Sequence, residues 1–268
     1  MQNMLRSIVA RSLEPLAASL WGFFLAWTAL LAVAWVGAID ENWLKANVSN
    51  AGLRDALVML FNSAVPAWIA LGVANVHLAV SREEGLKTAR RWLRLVLGLS
   101  FLLGVIAANT NVLFGRAYFS AGLGVRLAGV PVGWALLWVL VLMGARELVL
   151  WLRPRVSHNA TALAGGAFAA LTFVNLEPLA QRFTWWFWRR DKFTVATSLP
   201  WNFTLVLLVF AIALGWLLRE ISIVPHTKRR SRKAAIIFLL LNALAIAAHL
   251  RLWLFPPQSS PVEIAVPM

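Results

Sequence analysis

Long apolar runs separated by short polar segments dominate the pattern of this chain of 268 residues. A helix that crosses a bilayer needs about 20 mostly apolar residues, and seven runs meet or approach this length. They are residues 17–39, 53–80, 92–108, 130–152, 160–176, 201–218 and 234–255. Strand signals are weak, so the pattern predicts an all-α bundle of about seven transmembrane helices. We expect one domain over residues 1–255 and a disordered, proline-containing tail over residues 256–268.

The composition agrees with a membrane protein. Hydrophobic residues make up 60% of the chain and charged residues 13%, which is too apolar for a water-soluble globule. The absence of cysteine excludes disulfides, thiolate metal sites and cysteine nucleophiles. No spacing joins the four histidines into a metal site. We therefore expect neither a metal nor a cofactor.

The net charge is +14, and the positions of the basic residues predict the orientation and the partners. Basic residues cluster in short segments between the apolar runs, which favours attraction to anionic lipid headgroups over binding of nucleic acid. With the N-terminus inside and the C-terminus outside, the inner segments hold most of the lysines and arginines. The basic run at residues 228–233 supports this orientation and is expected to contact anionic headgroups. The expected location is a bacterial inner membrane.

Aromatic and small residues predict how the helices meet the membrane and each other. Many of the 15 tryptophans fall near predicted helix ends, as an aromatic belt requires. The run at residues 185–190, Trp-Trp-Phe-Trp-Arg-Arg, predicts a short segment in the headgroup plane. Stacking of one of these rings on an isoprenoid is the alternative. Small residues at 164–170 predict that the fifth span is the buried central helix.

Polar clusters at the ends of three spans are the candidate site. Asn109 and Thr110 follow the third span, Asn175 and Glu177 end the fifth, and Asn202 begins the sixth. Alternating topology brings these ends to the same side of the membrane. Polar side chains within or at the ends of membrane spans are energetically costly, so their presence indicates a function. We expect the clusters to share one pocket.

The connection at residues 113–129 lies on the same side of the membrane. It contains Arg116 and Tyr118 and is moderately apolar, so it is expected to fold back against the bundle. A purely structural alternative remains open, in which Glu177 pairs with Arg116 or Arg182 and the asparagines bridge helices.

Three motifs occur in the order and with the spacing that a known family shows. They are Thr-Asn-Val-Leu-Phe-Gly at 110–115 with Gly-Val-Pro at 129–131, Glu-Pro-Leu-Ala at 177–180 followed by Trp186 and Trp188, and Ser-Leu-Pro-Trp-Asn-Phe at 198–203. Residues 100–210 thereby resemble the carotenoid hydratase family of carotenoid biosynthesis proteins. The chain departs from the family at Gly104, where a glutamate is common, and at Ala117 and Phe119, where tyrosines are common. It is identified as a divergent member.

The resemblance implies addition of water to the terminal double bond of a linear carotene end group, without a cofactor. In that reaction Glu177 is the candidate acid, because an apolar surrounding favours the neutral form of a carboxylic acid. A nearby Arg116 would instead keep Glu177 ionised, as a base or electrostatic stabiliser. The remaining candidates are water ligands and substrate contacts: Asn175, Asn202 and Asn109 for water, and Trp186, Trp188, Phe114, Tyr118, Phe203 and Thr110 for substrate.

Two other functions remain open. The first is a non-catalytic binder of carotenoids or other isoprenoids, which has the same bundle but no active acid. The second is a small transporter, for which internal symmetry between the two halves is a usual sign; no such repeat occurs in this chain.

Overall fold

Helices form nearly all of the regular structure. The computed structural model describes residues 2–37, 39, 41–110, 116–183, 185–191, 194–195, 201–219 and 232–254. The helices within these ranges are α1 (Gln2–Val36), α2 (Glu41–Asn47), α3 (Ala51–Glu84), α4 (Leu86–Asn109), α5 (Val132–Leu152), α6 (His158–Arg182), α7 (Trp201–Arg219) and α8 (Lys233–Leu254).

Every predicted span coincides with a helix, and the short α2 is additional. Within the described residues, six helices are long and apolar enough to cross a membrane: α1, α3, α4, α5, α6 and α8. The apolar part of α7 within those residues, Leu205–Leu217, is shorter. These helices confirm an all-α membrane bundle. The predicted tail and residues 228–231 of the basic run lie outside the described part of the chain.

Local sequence signals set several helix ends. The Asn50 side chain accepts a hydrogen bond from the Leu53 backbone N–H at 3.0 Å at the start of α3. Ser157 caps α6 in the same way, accepting from the Ala160 N–H at 3.2 Å. A single residue, Gly85, separates α3 from α4 with a φ of 89°, which glycine adopts at little steric cost.

The central helix of the bundle is α5. It is buried along most of its length and contacts α3, α4, α6 and α8. The prediction that the fifth span, α6, is the central helix was wrong, because α6 exposes Leu163 and Leu171 on one face. Two small residues of α6 make close contacts with its neighbours: Gly165 lies against the Arg146 backbone of α5, and Gly166 lies against Ile212 of α7.

The contact between Gly166 and α7 gives a stability prediction. A Cβ atom at position 166 would lie 2.7 Å from Ile212 Cγ1 and 2.9 Å from the Ile212 backbone nitrogen. We expect Gly166→Ala to lower the free energy of unfolding in detergent micelles by about 1–3 kcal/mol, because the backbone of α7 must shift. Gly98→Ala is the matched control, since a Cβ there meets nothing within 4 Å. Equal stability of the two variants would contradict the assigned packing.

Short strands cover one end of the bundle. Strands β1 (Arg116–Phe119), β4 (Trp186–Asp191) and β5 (Thr194–Val195) form an antiparallel sheet in the order β1-β4-β5. Strands β2 (Arg126–Leu127) and β3 (Val130–Pro131) form a second antiparallel pair. We call this the sheet end. It is the end at which α4 and α6 finish and α5 and α7 begin.

The strands were not predicted. The run at 185–190 was predicted as a short segment in the headgroup plane. From Trp186 onward it forms strand β4, which pairs with β1. Pairing partners some 70 residues apart, such as Phe119 and Trp186, leave no local pattern in strands this short. The expectation that residues 113–129 fold back against the bundle is confirmed for the described part, because Phe119 and Leu123 are buried.

Tryptophans divide between belt positions and the protein interior. Trp43, Trp151, Trp216 and Trp253 are exposed near helix ends, as an aromatic belt requires. Three other tryptophans that fall near predicted helix ends are buried by neighbouring elements and are not lipid anchors: Trp92, Trp185 and Trp186.

A buried ionic cluster lies at the opposite end of the bundle. Arg146 of α5 pairs with Glu84 of α3 at 2.7 Å and with Glu147 at 2.6 Å. Its guanidinium also lies 4.5 Å from the ring centroid of Trp92 of α4. The ionic cluster, Glu84, Arg146, Glu147 and Trp92, therefore joins three helices.

Candidate functional site

Glu177 lies inside the protein, more than a turn before the end of α6. Its exposure is only 1%. The chain reverses directly after the helix, where the Phe183 N–H donates to the Leu179 carbonyl at 2.8 Å and the Trp185 N–H donates to the Ala180 carbonyl at 2.7 Å. This tight reversal returns Trp186, the first residue of β4, to the side chain of Glu177.

Two side-chain N–H groups bond the carboxyl of Glu177. Trp186 Nε1 donates to Oε2 at 2.6 Å, and Gln181 Nε2 donates to Oε1 at 3.2 Å. Gln181 follows Glu177 by one helical turn, so both face the same side of α6. Trp186 is completely buried. Protein groups therefore hold this carboxyl inside the bundle.

Aromatic rings extend from Trp186 into the core of the bundle. The Trp134 ring lies edge-on to Trp186 with centroids 5.1 Å apart, and it also contacts Phe119 at 5.3 Å and Phe173 at 5.5 Å. Trp138 continues the group, 4.3 Å from Phe173. Trp186 connects this group of rings to Glu177, and a π face attracts positive charge.

Trp134 carries a buried indole N–H that makes no hydrogen bond in the described part of the chain. Such orphaned donors are rare in protein interiors. A Cβ atom at Gly104 of α4 would lie 3.1 Å from Trp134 Nε1 and 2.8 Å from Val130 Cγ1. The departure from the family at position 104 therefore coincides with close packing of α4 on Trp134, and a longer side chain would not fit without a shift.

Asn175 faces α8 and joins a polar network there. Its Nδ2 donates to Oδ1 of Asn242 at 3.4 Å, and Asn242 Nδ2 donates to Thr172 Oγ1 at 3.1 Å. His249 Nε2 lies 2.6 Å from the Asn175 carbonyl oxygen. The network bridges α6 and α8, which is the structural role that the sequence left open for the asparagines. Glu177 and Asn175 thus make different contacts, although they are two residues apart.

Asn109 and Thr110 close the end of α4. Asn109 is exposed and donates to the Val105 carbonyl at 2.9 Å, while Thr110 Oγ1 donates to the Ile106 carbonyl at 2.7 Å. Both side chains therefore satisfy backbone groups of their own helix.

Arg116 and Tyr118 belong to the sheet. Arg116 Nε donates to the Ala108 carbonyl at 2.9 Å, and its guanidinium lies 5.6 Å from the centroid of Tyr118. Tyr118 stacks on Phe187 at 5.4 Å. Among the described ion pairs, none joins Arg116 to Glu177, so the alternative in which Arg116 holds this carboxylate is not observed.

The structure describes the remaining candidate site residues only in part. Phe114 lies outside the described residues, as do the side chains of Trp188, Asn202 and Phe203. The backbone of Trp188 pairs with Ala117 in the sheet. Asn202 lies in the first turn of α7. Gly166 and Gly215 pack on Ile212 and Ala162 respectively, so α6 and α7 are antiparallel. Extending this antiparallel pairing along the two helices brings residue 202 to the level of residues 175–176 of α6.

Several residues of the site were missed by sequence reasoning. Gln181 and Asn242 carried a usable signal, because each is an amide within or at the end of an apolar helix. Trp134 carried none, since it is one ring among many along an apolar run.

The comparisons with known proteins give one match. The model of a family described as carotenoid biosynthesis protein matches residues 64–266. The matched range includes α4 to α8, the sheet and all residues of the candidate site. The comparisons with curated proteins and with solved structures found no match.

Proposed function

Because the chain belongs to the carotenoid biosynthesis protein family, we propose that it is a membrane-embedded hydratase of linear carotenes. The reaction adds water to the terminal double bond of an acyclic end group and gives a tertiary alcohol. A bacterial inner membrane is the proposed location. The observation that carries the proposal is the carboxyl of Glu177, which is 1% exposed and bonded by an indole N–H at the end of an apolar helix.

Glu177 acts as the general acid in this proposal. Its proton adds to the hydrogen-bearing carbon of the terminal double bond, and the positive charge forms on the carbon that carries two methyl groups. A water oxygen then bonds to that carbon and loses a proton to the carboxylate, which regenerates the acid. Atoms and charges balance without electron transfer. A positioned acid of this kind contributes about 100- to 10,000-fold to a rate.

Neighbouring groups support both halves of the step. The N–H groups of Trp186 and Gln181 stabilise the carboxylate that remains after proton transfer. The π faces of Trp134 and Trp186 stabilise the carbocation. We assign Asn202 as the water ligand, because Asn175 and Asn109 bond protein groups elsewhere and the start of α7 lies level with the end of α6. Tyr118, Trp188, Phe114, Phe203 and Thr110 remain proposed substrate contacts.

Incubation of the purified protein with lycopene in detergent micelles tests the activity. We expect a product that is heavier than lycopene by one water molecule, detected by liquid chromatography and mass spectrometry. In water enriched in oxygen-18, the label should enter the new hydroxyl group. A product without the label, or no product from protein that binds lycopene, would exclude the hydratase proposal.

A non-catalytic carotenoid binder is the second candidate. The observation that favours it is that both oxygens of Glu177 already accept hydrogen bonds from protein groups, which compete with hydrogen bonds to water. Such a protein would co-purify with carotene and leave its mass unchanged.

A further inference from the structure

A cavity of about 160 Å³ lies at the sheet end, among α1, α2, α3 and the turn that leads into β4. The described side chains that line it are all apolar. Four of them are aromatic: Trp35, Phe61, Phe183 and Trp185. Glu177 and Trp186 are not among the lining residues, so the cavity is separate from the hydrogen-bonded carboxyl.

Three of the rings form a continuous aromatic wall. Trp35 and Phe183 stack with centroids 6.0 Å apart, Phe183 and Trp185 stack at 5.8 Å, and Trp35 and Trp185 lie 5.3 Å apart. Mutual contacts of this kind fix the orientation of each ring. The wall therefore offers rigid π surface to an unsaturated hydrocarbon.

The volume limits what the cavity can hold. An apolar cavity of about 150 Å³ in a protein core stays dry and binds benzene. The present cavity is of similar volume but is open on one side, so it fits a branched hydrocarbon group of about that size. A long polyene does not fit, and its chain would have to leave through the mouth of the cavity.

We propose that this cavity binds the branched end group of a linear isoprenoid hydrocarbon, with the adjoining double bonds against the aromatic wall. The class of ligand rests on the proposed function, whereas binding in the cavity does not require hydration. Trp185 connects the two regions, because its ring centroid lies 6.1 Å from that of Trp186, which bonds Glu177. A ligand in the cavity is thus one ring layer from the carboxyl, so the cavity is a position of binding and not of proton transfer.

Filling the cavity tests the proposal. Ala34 of α1 and Val65 of α3 are buried and line it, so Ala34→Phe and Val65→Phe each place a phenyl ring in it from a different helix. The matched control is Ala70→Phe, because Ala70 is exposed on α3 and does not line the cavity. Lycopene bound per protein is measured by absorbance after size-exclusion chromatography, on the monodisperse fraction only.

We expect both filling variants to bind at least tenfold less lycopene than the unchanged protein, and Ala70→Phe to bind the same amount. Undiminished binding by either monodisperse filling variant, or an equal loss in the control, would overturn the cavity proposal. Glu177→Gln separates this proposal from the hydratase. Binding without product in that variant supports both, and a product from it contradicts only the catalytic role of Glu177.

Discussion

Glu177→Gln is expected to lower the rate of lycopene hydration by at least about 100-fold, the lower bound of general acid catalysis. The amide oxygen of glutamine can still accept the hydrogen bond from Trp186, so the surrounding structure should persist. The acidic proton is lost, and so is the oxygen that accepts the hydrogen bond from Gln181. The rate is measured from the product that is heavier by one water molecule, at equal amounts of bound lycopene.

The control for this substitution is Glu14→Gln, since Glu14 is an exposed glutamate of α1. It changes the same functional group and should leave the rate unchanged. A Glu177→Gln variant that keeps more than a tenth of the original rate would show that the proton comes from another group. Glu177→Asp should recover part of the rate if the carboxyl is the donor, because it keeps the acid and changes only its reach.

Helix order alone predicted which polar helix ends lie at the same end of the bundle, but not which of their side chains meet. Long apolar runs are local signals, and alternation across the membrane then fixes which ends meet. The sequence therefore predicted that Glu177 lies at the same end as Asn109 and Asn202. It also predicted that residues 113–129 fold back on the bundle, because the apolar side chains of this connection are favourably buried away from water.

The partners of Glu177 could be predicted only in part. Gln181 is one helical turn away, but Trp186 reaches the carboxyl because the chain reverses and β4 pairs with β1. Pairing between segments so far apart leaves no periodic signal in a strand of six residues. The direction of Asn175 depended on Asn242, which lies 67 residues later in α8.

The ionic cluster likewise could be predicted only in part, because it joins residues that are far apart in the sequence. Arg146 and Glu147 are neighbours in the sequence, but Glu84 is 62 residues away. Helices α3 and α5 end at the same side of the bundle. The Arg146 guanidinium therefore contacts both carboxylates where little water reaches them. The side chains of Glu84 and Glu147 are exposed by only 1% and 3%, and that of Arg146 by 12%.

Arg146→Met should therefore destabilise the bundle by about 3–5 kcal/mol, the usual cost of removing one partner from a buried ion pair. Methionine retains much of the apolar part of the arginine side chain. The decrease in the free energy of unfolding therefore comes chiefly from loss of the guanidinium charge that pairs with both carboxylates. The contact of the guanidinium with Trp92 is lost as well. The free energy of unfolding is measured by denaturant titration in detergent micelles.

Arg91→Met is the matched control, because Arg91 is exposed on α4 next to Trp92, and exposed charges contribute little. A triple variant that combines Glu84→Gln, Arg146→Met and Glu147→Gln removes the negative charges along with the positive one. It should restore a large part of the stability, since a buried ionic group can be replaced by neutral groups at little cost. A single Arg146→Met variant as stable as Arg91→Met would mean that the cluster does not hold α3, α4 and α5 together. In that case the ion pairs contribute no more than surface charges do.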